Sequence, residues 1–402
     1  MEATLNGKNI VIGVCGGIAA YKSVTLLRLL KKQDAHAKVI MTLNAGAFVG
    51  PLTFEALSGL NVCTSLFAND TGDASIKHIE WAQSADAVII APATANMLAK
   101  LATGIADDAL STFLLAVAAP VMLCPSMNTH MFEHRSVQRN LKILKNDGYH
   151  LLAPDAGELA CGVTGPGRLP EPEIIIDRFL ACLTPKDLLG RKILVTAGPT
   201  QEAIDPVRFI SNPSSGKMGQ AIARAAEMRG AEVTLVSGPT SLAEPLNVKM
   251  IKVNTALEMH QAAWHYFEHA DIIIKAAAVS DYRPVNPKHQ KIKKDQDEMV
   301  LRLQKNPDIL KELGKNKGER ILVGFAAETE ELQKNAAMKL AQKNLDMIVG
   351  NLIGPNDSGF NADTNRVKFI YKDGTIETPH KMSKNAVAHL LLDRILQLTI
   401  SS

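Results

Sequence analysis

The sequence lacks the features typical of secreted, membrane-bound and nucleic-acid-binding proteins. Its N-terminus has no basic segment followed by an apolar run, so we predict no signal peptide. The five cysteines are odd in number and include no CxxC pair, which argues against a disulfide framework and a structural zinc site. This cysteine usage fits a reducing, cytoplasmic compartment. The net charge is only +3 over 402 residues, so we expect no nucleic-acid surface.

Long hydrophobic runs are also missing, with one segment that needs a closer look. Residues 109–132 contain no Asp, Glu, Lys or Arg, and a transmembrane helix is the alternative to test there. Pro120 and Pro125 interrupt the segment, and several polar residues follow. We therefore predict a buried helix followed by a buried strand, and no membrane partner.

The remaining sequence predicts two α/β domains. Short β-branched runs, such as ADAVIIAP and APVMLCP, alternate with helical segments, which is typical of a parallel sheet covered on both faces. The pattern restarts after LTPKDLLGRK, so we place a boundary there and predict domains at 1–188 and 189–402. In the second domain, RVKFIYKDGTIET predicts a β-hairpin. The fold prediction is two tandem doubly wound, Rossmann-like domains, an N-terminal flavoprotein sheet and a C-terminal nucleotide-binding sheet with a hairpin extension.

Polar and small residues follow several strands of the first domain, where ligands of doubly wound sheets bind. The turn VCGGIAAYK is either a phosphate cradle or an ordinary tight turn. Thr42, Thr94 and Asn96 are either helix caps or ligand contacts. Residues 159–169, LACGVTGPGRL, are predicted to form a loop, in which Cys161 could be a nucleophile, a metal ligand, an acid or none of these.

The order of five motifs resolves these alternatives. GGIAAYK, KHIEWA, APATAN, PSMN and ACGVTGPGR resemble, in this order, the homo-oligomeric flavin-containing cysteine decarboxylases, and among them phosphopantothenoylcysteine decarboxylase. The resemblance implies bound FMN, with contacts at Gly16, Gly17, Thr42, Ala91, Thr94 and Asn96. It also implies an active site of His78, Asn128 and Cys161.

The resemblance further implies a role for each of these three residues. Cys161 would be the proton donor on a glycine-rich flap, and a thiol with an ordinary pKa near ~8.5 is largely protonated at neutral pH. Asn128 would hold the substrate carboxylate, and His78 would act near the flavin. The flavin supplies the electron sink that a cysteinyl carboxylate lacks. This sequence departs from the family at Cys15, where a serine is usual beside the flavin.

The second half carries another ordered set of motifs. SNPSSGKMG precedes a helix but is not a Walker P-loop, and KIKK alone would be a solvated charge run. Together, DPVR, SNPSSGKMG, AAVSDY, KIKK, KNPDIL and GFAAE resemble the bacterial, CTP-using phosphopantothenate–cysteine ligases. The resemblance implies that Asn212 stabilises an oxyanion and that Lys291 offsets charge as pyrophosphate leaves. It implies CTP contacts at Asp281, Lys291, Pro307, Asp308, Ile309, Leu310, Phe325, Lys339 and Lys343.

The two resemblances together predict a bifunctional enzyme of coenzyme A biosynthesis. Its substrates would be 4′-phosphopantothenate, L-cysteine and CTP, with FMN and Mg²⁺ as cofactors, because lysines and Mg²⁺ neutralise a triphosphate under attack. No metal ligands are predicted. The family implies a homo-oligomer with trimeric decarboxylase domains and dimeric ligase domains. The alternatives are a flavin-binding regulatory protein and a nicotinamide-dependent oxidoreductase, although GxGxxG with a later acidic residue is missing.

Overall fold

The structure is a computed structural model that divides into two compact units between Thr184 and Pro185. It describes residues 4–66, 74–159, 162–293, 299–328, 338–352 and 362–400. Of residues 74–78, 327, 328, 352 and 400 it describes the backbone alone.

The N-terminal unit alternates strands and helices along most of its length. Its elements are β1 (Asn9–Val14), α1 (Ala20–Lys32), β2 (His36–Met41), α2 (Pro51–Ser58), α3 (Ala74–Ser84), β3 (Ala87–Ala93), α4 (Ala95–Thr103), α5 (Ala109–Ala116), β4 (Val121–Pro125), α6 (Thr129–Glu133), α7 (Arg135–Asn146), β5 (His150–Leu151), β6 (Asp155–Glu158), β7 (Thr164–Arg168) and α8 (Pro172–Leu183).

Strands β1 to β5 form a parallel sheet in the order β2-β1-β3-β4-β5. Successive side chains of a strand point to opposite faces. Ile10 and Ile12 of β1 therefore pack with α1 and α8, whereas Val11 packs with α4, α5 and α7 on the other face. The chain reverses direction across the sheet between β1 and β3, and such a switch point opens a crevice beyond the carboxyl ends of these strands.

The C-terminal unit repeats this architecture with a longer sheet. Its elements are β8 (Lys192–Ala197), β9 (Gln201–Ala203), β10 (Phe209–Ser211), α9 (Lys217–Met228), β11 (Glu232–Ser237), β12 (Lys249–Lys252), α10 (Ala256–Phe267), β13 (Ile272–Lys275), β14 (Tyr282–Pro284), β15 (Leu303–Lys305), α11 (Ile309–Lys315), β16 (Ile321–Glu328), β17 (Met347–Leu352), β18 (Thr364–Asn365), β19 (Val367–Tyr371), β20 (Ile376–Glu377), β21 (Met382–Ser383) and α12 (Lys384–Ile400).

The main sheet of this unit has the order β12-β11-β8-β13-β16-β17-β19-β20. The first six strands in this order are parallel, and β19 and β20 extend the sheet in antiparallel pairing. Helices α9 and α12 cover one face, and α10 and α11 cover the other. The switch point lies between β8 and β13. The predicted fold class of two doubly wound domains is confirmed.

Two local predictions can be compared directly with the structure. The hairpin is present as β19 and β20, and Gly374 takes a left-handed φ of 87° in its turn. The loop prediction for residues 159–169 was wrong in its second half, because β7 pairs with β6 as a two-stranded antiparallel ribbon. Backbone pairing needs no side chains, so a glycine-rich segment can join a ribbon that side-chain patterns do not reveal. In the described residues, no helix is long and apolar enough to cross a bilayer.

Two candidate active sites beyond the strand ends

A cavity of about 1000 Å³ lies beyond the carboxyl ends of β1 to β4 in the N-terminal unit. Each of these strands contributes the residues that follow it, as the topology requires. Six of the sequence-predicted residues line the cavity: Gly16, Gly17, Thr42, Thr94, Asn96 and Asn128. The structure therefore brings together residues that are up to 112 positions apart, counted from Gly16 to Asn128.

The glycine turn after β1 is built to approach a ligand with its backbone. An ideal Cβ on Gly16 would lie 2.5 Å from the Cβ of Asn44 and 2.8 Å from its carbonyl carbon, so a side chain does not fit there. Among the described residues, no acceptor bonds the amides of Gly16 and Gly17. These amides precede the N-terminus of α1, an arrangement that suits an anionic group.

Thr94 and Asn128 act as helix caps and also face the cavity. Thr94 Oγ1 accepts a hydrogen bond from the amide of Met97 at 3.4 Å, at the start of α4. Asn128 Oδ1 accepts from the amide of His130 at 2.9 Å, at the start of α6. Thr94 is therefore a helix cap, one of the two alternatives stated for it, and its cap places it at the cavity wall; the cap formed by Asn128 does the same, and ligand contact by either side chain stays a prediction.

The ribbon of β6 and β7 is attached to the loop that carries Asn128. The carbonyl oxygen of Gly167 accepts hydrogen bonds from the amide of Met127 at 3.0 Å and from Ser126 Oγ at 3.1 Å. Gly167 has a φ of 148°, and an ideal Cβ there would lie 2.1 Å from the carbonyl oxygen of Met127. This close approach places Arg168 on the cavity wall and requires glycine.

Charged side chains that the sequence patterns did not single out also line this cavity. Lys22 is almost fully buried and donates to the carbonyl oxygen of Leu169 at 2.8 Å and to Glu171 Oε1 at 2.7 Å. Lys100 pairs with Asp107 and Asp108, and hydrogen bonds to these two carboxylates raise its pKa. Lys22 is the last residue of the GGIAAYK motif, but neither its position there nor that of Lys100 on α4 singled it out as a cavity residue.

Four other residues singled out from the sequence are not among the described residues that line this cavity. Ala91 is buried within β3, where its carbonyl oxygen accepts a hydrogen bond from Ser23 Oγ, and it does not line the cavity. Cys15 is also buried, and desolvation raises the pKa of its thiol to about 12 despite a hydrogen bond with Thr94. The side chain of His78, on α3, and the whole of Cys161 lie outside the described residues.

A second cavity, of about 450 Å³, lies at the switch point of the C-terminal sheet. Its walls come from the segment before α9, the segment after β13, and strands β16 and β17. Six sequence-predicted residues line it: Asn212, Asp281, Leu310, Phe325, Lys339 and Lys343. Lys275, Lys217 and Lys384 also line it but were not predicted. The described lining residues thus include five lysines and one acidic residue, Asp281, which favours an anionic ligand.

The SNPSSGKMG segment forms one wall of this cavity. Gly219 brings α9 close to the sheet, because an ideal Cβ there would lie 2.5 Å from the Cβ of Ala197 in β8. Asn212 Nδ2 donates to the carbonyl oxygen of Val279 at 3.0 Å, which fixes its amide between the two walls. Asn212 is otherwise exposed and so can contact a ligand.

The DPVR motif holds the KIKK segment in place. Asp205 Oδ2 accepts hydrogen bonds from Arg208 Nη2 at 2.7 Å and from the amide of Ile292 at 3.1 Å. Arg208 Nη2 also donates to the carbonyl oxygen of Ile292 at 2.8 Å. Desolvation raises the pKa of Asp205, but these hydrogen bonds outweigh it and hold the pKa well below its ordinary value. Asp205 and Arg208 together hold Ile292 by its amide and its carbonyl oxygen. The neighbouring Lys291 is exposed and is not among the residues that line the cavity.

The KNPDIL motif lies at the start of α11. Asp308 caps α11 by accepting from the amide of Lys311 at 3.1 Å, and it pairs with Lys343 Nζ at 2.9 Å. Pro307, Asp308 and Ile309 do not line the cavity, whereas the neighbouring Leu310 does. Asp308 instead positions Lys343 at the cavity wall.

Comparison with known proteins gives a consistent result over both units. The Flavoprotein family model matches residues 1–184, and the model of the DNA/pantothenate metabolism flavoprotein C-terminal domain matches residues 188–399. The chain is 48% identical to the coenzyme A biosynthesis bifunctional protein CoaBC of Bacillus subtilis over 399 residues, which cover 98% of each chain. It is 45% identical to CoaBC of Escherichia coli strain K12 over 398 residues, again 98% of each chain.

Solved structures match one unit at a time. A C-terminal domain of CoaBC is 42% identical and covers 54% of this chain and 100% of that chain, with a TM-score of 0.47. The FMN-dependent cysteine decarboxylase SpaF is 34% identical and covers 44% of this chain and 97% of that chain, with a TM-score of 0.39.

The fold and the two cavities define a two-domain α/β protein, a flavoprotein domain followed by a pantothenate-metabolism domain. The chain belongs to the family of coenzyme A biosynthesis bifunctional proteins. The family predicted from the ordered motifs, and its bifunctional role as decarboxylase and ligase, are therefore confirmed.

Proposed function

We propose that the chain joins L-cysteine to 4′-phosphopantothenate with CTP in the C-terminal cavity and decarboxylates the product with FMN in the N-terminal cavity. The product would be 4′-phosphopantetheine, and the functional domains would be 1–188 and 189–402. The observation that carries this proposal is the pair of cavities, one in each unit, each lined by six of the predicted residues.

The N-terminal cavity fits FMN in size and in polarity. About 1000 Å³ is at the upper end of ordinary ligand pockets. The amides of Gly16 and Gly17, with the N-terminus of α1, would bind the phosphate of FMN. When bound there, FMN would supply reversible two-electron redox chemistry.

The protein side chains would orient and protonate the substrate. Asn128, held by its cap at the cavity wall, would bind the substrate carboxylate with an uncharged amide. This choice avoids a salt bridge that would stabilise the carboxylate before it reacts. Leu159, at the end of the ribbon, lines the cavity, and Cys161 would follow it as the proton donor. His78 would act in the oxidative half.

The C-terminal cavity has the charge that a triphosphate requires. Its lysines would offset the repulsion between the attacking carboxylate and the phosphates, and Asn212 would stabilise the oxyanion as cysteine attacks. Lys291 would approach the leaving pyrophosphate from the clamped KIKK segment. Mg²⁺ would enter bound to CTP and, together with the lysines of the cavity, would offset the charge of the phosphates.

We further propose that the protein acts as a cytoplasmic homo-oligomer, with trimeric decarboxylase domains and dimeric ligase domains. Large apolar side chains surround the mouth of the N-terminal cavity: Leu43 is 85% exposed, Ile18 65% and Met131 50%. Apolar side chains grouped at a cavity mouth favour a second subunit over open solvent.

Mass spectrometry of the purified protein with FMN, phosphopantothenate, cysteine, CTP and Mg²⁺ tests the proposal. We expect phosphopantetheine, CMP and pyrophosphate. Accumulation of phosphopantothenoylcysteine would support the ligase and contradict the decarboxylase. A folded, flavin-loaded sample that forms neither product would overturn the enzyme proposal and favour a flavin-binding regulatory protein.

A further inference from the structure

Lys275 is a charged residue in an unusual position of the C-terminal sheet. It is the last residue of β13, directly after the buried Ile272, Ile273 and Ile274. Its side chain is only partly exposed and lines the cavity. A central strand of a parallel sheet normally ends in apolar or small residues, so a lysine there needs an explanation.

Lys275 has no ion partner in the described part of the chain. No hydrogen bond or salt bridge of its Nζ occurs among those residues. Asp308, the carboxylate at the start of α11, already pairs with Lys343 Nζ and caps its own helix. The ammonium group is therefore partly desolvated without a direct ion pair to any residue that the structure describes.

Neighbouring lysines make the charged form of Lys275 still less favourable. Lys339 and Lys343 approach it from the segment before β17, and Lys217 and Lys384 line the same cavity from α9 and α12. Among the described residues, Asp281 and Asp308 are acidic groups that act on it in the opposite direction. Desolvation, and then repulsion by Lys343, lower the pKa of Lys275 to about 8 in spite of these two carboxylates. An anion in the cavity would remove this penalty.

We propose that Lys275 is a polyphosphate-binding residue of this cavity and forms, with Lys339 and Lys343, a cluster of three lysines that receives the phosphates of the nucleotide. The inference deepens the ligase proposal and rests on it. None of the motifs in the sequence pointed to Lys275, and its juxtaposition with the other two lysines is a property of the tertiary structure.

Phosphate binding beside Lys275 should be coupled to proton uptake. Because its pKa is lowered to about 8, we expect Lys275 in the free protein to be mostly neutral at pH 9 and mostly charged at pH 7. A bound polyphosphate favours the charged form, so nucleotide binding at pH 9 should take up as much as about one proton, and binding at pH 7 little. A lysine with a merely structural role would show no such uptake.

The test compares Lys275→Met and Lys275→Arg with the wild-type full-length protein by titration calorimetry. CTP with Mg²⁺, pyrophosphate and CMP are each titrated at pH 7 and pH 9, in two buffers that differ in ionisation enthalpy. At pH 7, Lys275→Met should weaken CTP and pyrophosphate binding at least about tenfold and CMP binding less. It should abolish proton uptake at pH 9. Lys275→Arg, which stays charged, should keep the affinity and also lose the uptake.

A matched control is Lys372→Met, an exposed lysine in the turn of the β19–β20 hairpin, which should bind as the wild type does. The apo form of Lys275→Met should also melt higher than the wild type at pH 7, because the variant no longer buries an unpaired charge. Unchanged CTP affinity and unchanged proton uptake in Lys275→Met would overturn the inference. An equal loss for CMP and CTP would overturn the polyphosphate assignment.

The outcomes also separate this inference from the ligase proposal. If the wild type binds pyrophosphate but not CTP, the CTP assignment fails, and the Lys275 comparison with pyrophosphate still decides the inference. If the wild type binds CTP and Lys275→Met binds it equally, the ligase proposal stands and the role of Lys275 is wrong.

Discussion

Replacing Gly167 by alanine should separate the two activities of this protein. Gly167 joins the β6–β7 ribbon to the loop of Asn128, and its φ of 148° lies in a region that side chains rarely adopt. A Cβ at this position would lie 2.1 Å from the carbonyl oxygen of Met127, which is backbone and cannot rotate away. The ribbon must therefore move off the loop in the variant.

The size of the effect follows from the contacts that this movement breaks. The carbonyl oxygen of Gly167 accepts two hydrogen bonds, from Met127 and Ser126. Each contributes about 1 kcal/mol net. A loss of both bonds, about 2 kcal/mol, lowers the docked fraction of the ribbon by roughly 30-fold.

The assay measures the two half-reactions separately on the same preparation. Release of CO2 from supplied phosphopantothenoylcysteine should fall by about this factor in Gly167→Ala, and pyrophosphate release from CTP should not change. Gly157→Ala, on the opposite strand of the ribbon, is the matched control, because its Cβ would meet no backbone but only side-chain atoms of Arg168, with Nη1 at 2.9 Å and Cδ at 3.3 Å, and this flexible side chain can shift. Decarboxylation at the wild-type rate in Gly167→Ala would refute the reasoning.

Three further predictions concern other parts of the chain. Arg208→Gln should release Ile292 from its clamp and lower ligase turnover at least about tenfold, with decarboxylation intact. Arg208→Lys should not restore ligase turnover, because lysine lacks the bidentate geometry. An intact rate of pyrophosphate release in Arg208→Gln would contradict this prediction. Desolvation, with Arg229 nearby, lowers the pKa of His389 to about 4, so its unfolded form binds more protons between pH 6.5 and 4. The free energy of unfolding should therefore fall by roughly 3 kcal/mol as pH drops through that window, and chemical denaturation of His389→Gln should show a smaller fall. Cys161→Ser should accumulate an oxidised, decarboxylated intermediate, and full turnover to phosphopantetheine would remove Cys161 from the acid role.

Much of the fold follows from local sequence patterns. Strands such as β1 and β3 are short apolar runs, and helices such as α9 are amphipathic segments. Because parallel strands need helical crossovers, their alternation was enough to predict two doubly wound sheets. The ordered motifs then predicted the family. Side-chain periodicity did not predict the strand at residues 164–168, because this glycine-rich ribbon is stabilised by backbone pairing and by contact with Met127.

For the candidate sites too, some features follow from the sequence and others only from the tertiary structure. The sequence by itself determined which motif residues follow the strands, and therefore that Thr94 and Asn128 would reach one edge of the sheet. Only the tertiary structure decided that Asp205 clamps Ile292, 87 positions away, and that Lys275 joins Lys343 in one cavity. The physical reason is that periodicity records what each residue does beside its neighbours in the chain. Burial, charge pairing and close backbone approach depend on residues that meet only when the chain has folded.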